Sequence, residues 1–149
     1  MTQAYSTHPL TSAEIEVAYL LVDSAGTGIS RADWTSFCKR VTEWRGAAGL
    51  HDDVVVAVDA GARLRGVFVM QVIQSLLFGK SLDVPLFVAM SAGDEDGVIA
   101  EMLTAVRAKA RAVRCTSIRI WTQSSESWQR VTGSSGSMKQ YEGVRILLD

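Results

Sequence analysis

Two short runs concentrate the titratable side chains of this sequence. His51-Asp52-Asp53 puts an imidazole beside two carboxylates, groups that hold a divalent metal or take up a proton. Its spacing matches no established metal site, and a loop histidine with capping aspartates is the simpler reading. Asp94-Glu95-Asp96 places three carboxylates just ahead of an amphipathic stretch, where negative charge favours a helix start. His8 stands alone and is expected to be solvated. Cys38 and Cys115 lie far apart and form no CxxC or Cys/His spacing, so two free, buried thiols in a reducing compartment are expected. With two histidines and no paired cysteine, neither a metal site nor a nucleophilic triad is expected.

Phosphate chemistry has equally thin support. No Gly-x-x-x-x-Gly-Lys-Ser/Thr loop occurs, and Ser124-Ser125 and Gly133-Ser134-Ser135-Gly136-Ser137 read as flexible connections. Arg107, Lys109, Arg111 and Arg114 crowd the end of a helical pattern, where positive charge suits the dipole. Trp34, Trp44, Trp121 and Trp128 are expected to pack, since no basic groove accompanies them as a stacking platform.

The elements that must position these residues come from a chain of 149 residues, 48% hydrophobic and 21% charged. That balance is globular, and the length suits one domain, residues 1–149, with residues 1–10 as a loosely ordered lead-in. A formal net charge of −1 draws in neither nucleic acid nor an anionic membrane. No apolar run reaches the ~18–20 residues of a membrane span, and residues 1–10 lack the pattern of a secretory signal. A cytoplasmic location is the default expectation.

Thr11-Ser12-Ala13-Glu14 reads as a capping box opening a helix with Ile15, Ala18, Tyr19 and Val22 on one face. Ser30 and Asp33 open a second, with Trp34, Phe37, Cys38 and Val41 as its apolar stripe. The period then changes. Residues 54–58 and 64–73 are β-branched and apolar on both faces, and a short Gly-containing link joins them as an antiparallel hairpin. A strand over residues 82–90 follows, with a bulge or a one-sided pairing expected at Pro85, which cannot donate to a ladder. A loop over 91–96, a helix over 97–113 and a strand over 117–122 complete a right-handed β-α-β unit with parallel strands. A short helix over 125–132 and a last strand from Gly143 close the chain. The fold class is therefore α/β (α+β), a mixed, largely antiparallel sheet with helices on both faces.

This order resembles the GNAT N-acyltransferases over residues 53–149, with the early helices fitting more loosely. The resemblance implies a strand that splays from its neighbour ahead of the long helix, and a cleft there for the pantetheine arm of an acyl-CoA. It implies Val88 and Met90 beside that arm. It also implies Gly93, Gly97 and Val98 at the pyrophosphate, where small residues and a helix N-terminus let backbone amides meet the phosphates. The family's Gln/Arg-x-x-Gly-x-Gly/Ala loop corresponds to residues 91–98. Here the Arg or Gln is absent and three carboxylates stand in the loop, which compete with and repel a pyrophosphate.

An N-acyltransferase needs a base for the attacking amine and an acid for the leaving thiolate. On the resemblance, Asp83 at the start of the splayed strand is the candidate base and Tyr141 the candidate acid. The short helix that supplies a tyrosine in many family members has Gln129 instead. Two readings stay open. One is an acyl-CoA-dependent N-acyltransferase acting on a small-molecule or protein amine. The other is a non-catalytic module of the same fold that has lost CoA and works through a partner or as a homodimer, covering Leu76-Leu77-Phe78.

Overall fold

The computed structural model describes residues 4–47, 52–121 and 143–148. Within them a six-stranded mixed sheet runs in chain order: β1 (Tyr5–Pro9), β2 (Asp53–Asp59), β3 (Leu64–Ser75), β4 (Gly79–Ala89), β5 (Ser117–Trp121) and β6 (Gly143–Leu147). Every neighbouring pair is antiparallel except β4 and β5. Helices α1 (Ile15–Ser24) and α2 (Arg31–Trp44) precede β2, and α3 (Glu95–Ala112) forms the crossover between the parallel strands.

The helix starts form where their capping residues stand. Glu14 Oε1 accepts from the Thr11 amide at 2.9 Å and from its hydroxyl at 3.0 Å. Ser30 Oγ accepts from the Asp33 amide at 3.1 Å and opens α2, which ends at Trp44 before Gly46, whose φ of +83° suits glycine. His8 does not stand alone: its side chain, 39% exposed, sets Nε2 2.9 Å from Glu14 Oε2 and ties β1 to the first helical turn.

Alternation along β2 separates two cores. Val55 and Ala57 face α3 with Phe68, Met70, Leu82, Val84 and Phe87. Val54 and Val56 face α1 and α2 with Val67, Val69 and Val88. Helices therefore cover both faces, as the continuously apolar strands imply. Trp34 is fully buried, and its indole N–H donates to the Ile15 carbonyl at 3.0 Å. Trp44, by contrast, is exposed, one turn past the last residue of its helix's apolar stripe.

Three boundaries differ from expectation. Residues 5–9 are not a loose lead-in but an edge strand that pairs with β2 from Tyr5↔Asp59 to Pro9↔Val55. A backbone ladder holds it, with Tyr5 packed against the α3-side core and His8 paired with Glu14. Strand β4 begins at Gly79 rather than residue 82, because its ladder with β3 runs on to Ser75↔Gly79, and Ser81 there meets Ser117 across the parallel ladder (Oγ–Oγ 2.7 Å), both buried. Helix α3 begins at Glu95, with Asp94 as its N-cap accepting from the Gly97 amide.

Candidate functional site

The cleft starts from an irregularity in β4. Val69 pairs with Leu86, and Gln71 with Asp83, so Val84 and Pro85 together oppose Met70. This bulge shifts the pleat by one residue. Leu82 and Val84 face α3 before it, and Phe87 faces α3 after it, stacked on Phe68 with ring centroids 6.0 Å apart. The bulge expected at Pro85 is thus present, and it resets which β4 side chains face each helix layer.

The same position marks a separation of strands. β4 pairs with β5 across residues 81–84, and β4 then continues to Ala89 beyond that ladder. The Met90 amide donates to the Arg65 carbonyl at 2.7 Å, which sets the phase of the β3–β4 ladder. By antiparallel alternation, the N–H and C=O groups of Phe87 and Ala89 point away from β3, to the side on which β5 has ended.

A cavity of about 1110 Å³ lies on that side. Its wall runs from Pro85 to Ala92, closes against Trp121 and Ile99, and reaches Trp34, Phe37 and Ile29 on the α1/α2 side. The wall is mostly apolar, as a pocket for a flexible organic arm requires. Its charged members are Asp33, Arg65 and Glu95. Arg65 is held by Asp59, with Nε 3.0 Å from Oδ2.

Comparison with known proteins bears on this architecture. No family model matches the sequence, and neither does any curated protein. Solved structures do. Ribosomal-protein-S5-alanine acetyltransferase from Vibrio fischeri superposes with a TM-score of 0.69 at 12% identity, covering 99% of this chain and 94% of that one. Glucosamine-6-phosphate N-acetyltransferase from Arabidopsis thaliana gives 0.64 at 13% identity, covering 91% and 95%. An aminoglycoside N-acetyltransferase in complex with CoA gives 0.66 at 9% identity, covering 89% and 85%. This is the GNAT fold.

Set in the GNAT fold, the candidate residues fall into three groups. Val88 and Met90 line the cavity. Gly93, Gly97 and Val98 lie at the start of α3, and their amides already have partners within the chain. Gly93 donates to the Ser91 carbonyl (2.8 Å), Gly97 to Asp94 Oδ1 (3.2 Å) and Val98 to the Asp94 carbonyl (3.3 Å). A Cβ at position 97 would stand 2.5 Å from Asp94 Oδ2. The glycine there makes room for the chain's own carboxylate.

Asp83 is not a solvated strand-end residue. It sits inside β4, 7% exposed, and its Oδ1 accepts from Arg119 Nε at 2.8 Å. It pairs in register with Gln71, which lines the cavity. Tyr141, Gln129 and the Ser/Gly stretch lie outside the described residues, as does His51. Asp53 is engaged in structure: its Oδ1 accepts from Arg45 Nε (3.0 Å), Arg45 Nη2 (2.7 Å) and the Val54 amide (2.8 Å). Among the described residues no group of three His, Cys, Asp or Glu side chains is placed to hold a metal. No described helix is long and apolar enough to cross a membrane.

Reading the residues alone missed Trp121, Arg65 and Asp33 as cleft residues. Their signal was positional: Trp121 ends the strand parallel to β4, and Asp33 opens α2.

Proposed function

We propose that this protein is an N-acyltransferase that takes an acyl group from an acyl-CoA thioester and passes it to an amine in the β4–β5 cleft. The observation that carries the reading is the separation of β4 from β5 after Val84, beside the cavity. The N–H and C=O groups of Ala89 face a mostly apolar cavity, an arrangement that would suit an amide-bearing pantetheine arm in extended pairing. The amine nitrogen attacks the thioester carbonyl carbon, the C–N bond forms, the C–S bond breaks, and the amine's proton passes to the thiolate.

Asp83 is the proposed base. Its Oδ1 is taken by Arg119, which leaves Oδ2 to accept. It stands behind the cavity wall next to Gln71, so a water relays the proton. Tyr141 is the proposed acid. Asp33 at the α2 end of the cavity favours a cationic or amine acceptor, a small molecule or a protein amine. Calorimetric titration with acetyl-CoA, followed by an amine screen for thiol release, tests the reading. Heat of binding with saturable thiol release supports it, and no binding at millimolar acetyl-CoA sinks it.

A second reading has its own observation. Leu76 and Leu77 at the β3–β4 turn are 101% and 83% exposed, more apolar surface than a solvated turn needs. A non-catalytic module would use this tip to associate with itself or a partner protein. Concentration-dependent sedimentation that vanishes in Leu77→Asp, together with absent acyl transfer, favours this reading over the enzyme.

A further inference from the structure

We infer that the end of the sheet opposite the cleft docks on an anionic phospholipid bilayer, with Leu76 and Leu77 entering the headgroup layer and the basic end of α3 facing its charge. This surface lies away from the cavity, so the inference stands whichever reading of the cleft holds.

Topology gathers the surface. β2 begins at Asp53, opposite Met70, and residues 71–75 of β3 run on past it for roughly 17 Å. The β3–β4 turn therefore projects from this end. Polar and glycine chemistry sets its shape: the Phe78 amide donates to Ser75 Oγ at 3.2 Å, and Gly79 takes a φ of +70°. Nothing in that geometry calls for leucine, yet Leu76 and Leu77 are almost wholly exposed there. The chain leaving α3 braces the same turn. The Thr116 amide donates to the Lys80 carbonyl at 2.8 Å, and the Thr116 hydroxyl donates to the Phe78 carbonyl. Helix α2 also ends here, since Arg45 donates to Asp53 and to the Leu10 carbonyl. Its last residue is the exposed Trp44, a residue type suited to a headgroup layer.

Charge decides what covers the leucines. Arg107, Lys109 and Arg111 lie on the last turns of α3, Arg114 follows it, and Lys80 begins β4 beside the turn. None of these five forms an ion pair among the described residues. Residues 71–82 and 102–121 contain no Asp or Glu. Among the described residues, the carboxylates at this end fall on the α2–β2 side, where Arg45 engages Asp53. The net charge of −1 averages over this separation, because Asp94, Glu95 and Asp96 stand at the other end of α3. Exposed leucines beside unpaired cations suit an anionic bilayer, which takes up the apolar side chains and attracts each Lys or Arg. A two-fold dimer through the same turn would instead set these cations against their own copies. The cleft opens at the other end of β4 and stays accessible when this end is docked.

Vesicle co-sedimentation of the full chain tests this. The vesicles are phosphatidylcholine alone, or phosphatidylcholine with roughly 30% phosphatidylserine. The expected result is binding about 10-fold or more tighter to the mixed vesicles, weakened as added salt shortens the screening length. The double variants Leu76→Ser/Leu77→Ser and Lys109→Gln/Arg111→Gln should each weaken that binding by about 10-fold or more. An unchanged melting temperature in each variant shows that the fold is kept. Equal binding to both vesicles, or binding to neither, overturns the inference. So does unchanged binding in either double variant. Self-association that Leu76→Ser/Leu77→Ser abolishes, with no vesicle binding, overturns it in favour of a second copy on this surface.

Discussion

Arg119 donates to Asp83 across the parallel β4–β5 ladder at 2.8 Å, one residue before the last paired position of the two strands. The same guanidinium lies over the Trp121 ring, 5.0 Å from its centroid, and Trp121 forms part of the cavity wall. A single cation thus links the candidate base to the aromatic that closes the cleft. Arg119 is 35% exposed in its side chain and Asp83 9%, so water screens the pair only in part.

Removing that cation leaves a mostly buried carboxylate with no counter-charge. Arg119→Met is expected to cost about 2 kcal/mol, less than a fully buried pair loses. Asp83→Asn should cost about 1 kcal/mol, and the double variant less than the sum, with a coupling of about 1 kcal/mol. Urea denaturation of the four proteins measures it. Additive losses would mean that the two side chains do not interact in solution.

Acid should destabilise the protein through Asp59. The Arg63 amide holds the Asp59 carboxyl down to about 2 against the pull of burial, helped by the Arg65 side chain, the Gly61 amide and the Arg63 charge. A carboxyl depressed by folding adds stability above its unfolded value, and that stability is lost as pH falls through the folded one. The window therefore runs from about pH 4, the ordinary aspartate value, downward to about 2. Glu14 adds in the same direction: burial pushes it up, but the Thr11 amide, with His8 and the Thr11 hydroxyl, brings it below its ordinary value. Denaturation midpoints should fall between pH 4 and 2. Asp59→Asn should be less stable at pH 6 and show a shallower acid slope. An acid slope equal to the wild type's would show that other carboxylates carry the effect.

Gly66 is where Met102 of the long helix packs against the backbone of the sheet. A Cβ there would stand 2.4 Å from Met102 Sδ and 3.1 Å from the Val88 carbonyl. Gly66→Ala is expected to lose about 1–3 kcal/mol by overpacking. Met102→Ala opens a cavity and costs about 2–5 kcal/mol on its own. In the double variant the new methyl has room, so its loss should fall short of the sum by about 1 kcal/mol. A Gly66→Ala protein as stable as the wild type would show that the methionine moves aside freely.

The parts of the fold legible in the residues are those where side-chain period and turn chemistry agree. The β2–β3 hairpin followed from two β-branched runs around Asp59 and Gly61, and the bulge from Pro85 in an otherwise apolar strand. Strand β1 was not legible. Its positions over β2, Tyr5, Thr7 and Pro9, are not an apolar stripe, and a backbone ladder leaves no mark on side-chain type. The Asp83–Arg119 pair was hidden for a different reason. The residues are 36 apart, and the register of a parallel pair across a helix cannot be read from either strand. The acidic run was legible in the residues, but not in its consequence. That Asp94 turns back onto Gly97, and that Tyr5 holds it there, depends on where β1 lies.

The two thiols offer a probe of how the two core layers open. Cys38 is fully buried on the α2 side, and burial pushes its thiol up to about 12. Cys115 is 7% exposed at the end of the α3 crossover, and burial raises it too, with Lys80 opposing. Only a thiolate reacts with a disulfide reagent, so at pH 7.5 neither should label in the native protein while both label at once in urea. Local opening should then expose them at different rates. Cys115 lies beside the loop that enters β5, and Cys38 lies beneath Trp34 and Val41 in the α1/α2 core. Cys115 is expected to label about tenfold or more faster, because segments at element ends open at lower free energy than core helices. Equal rates would indicate that the protein opens only as a whole, with both core layers lost in one step.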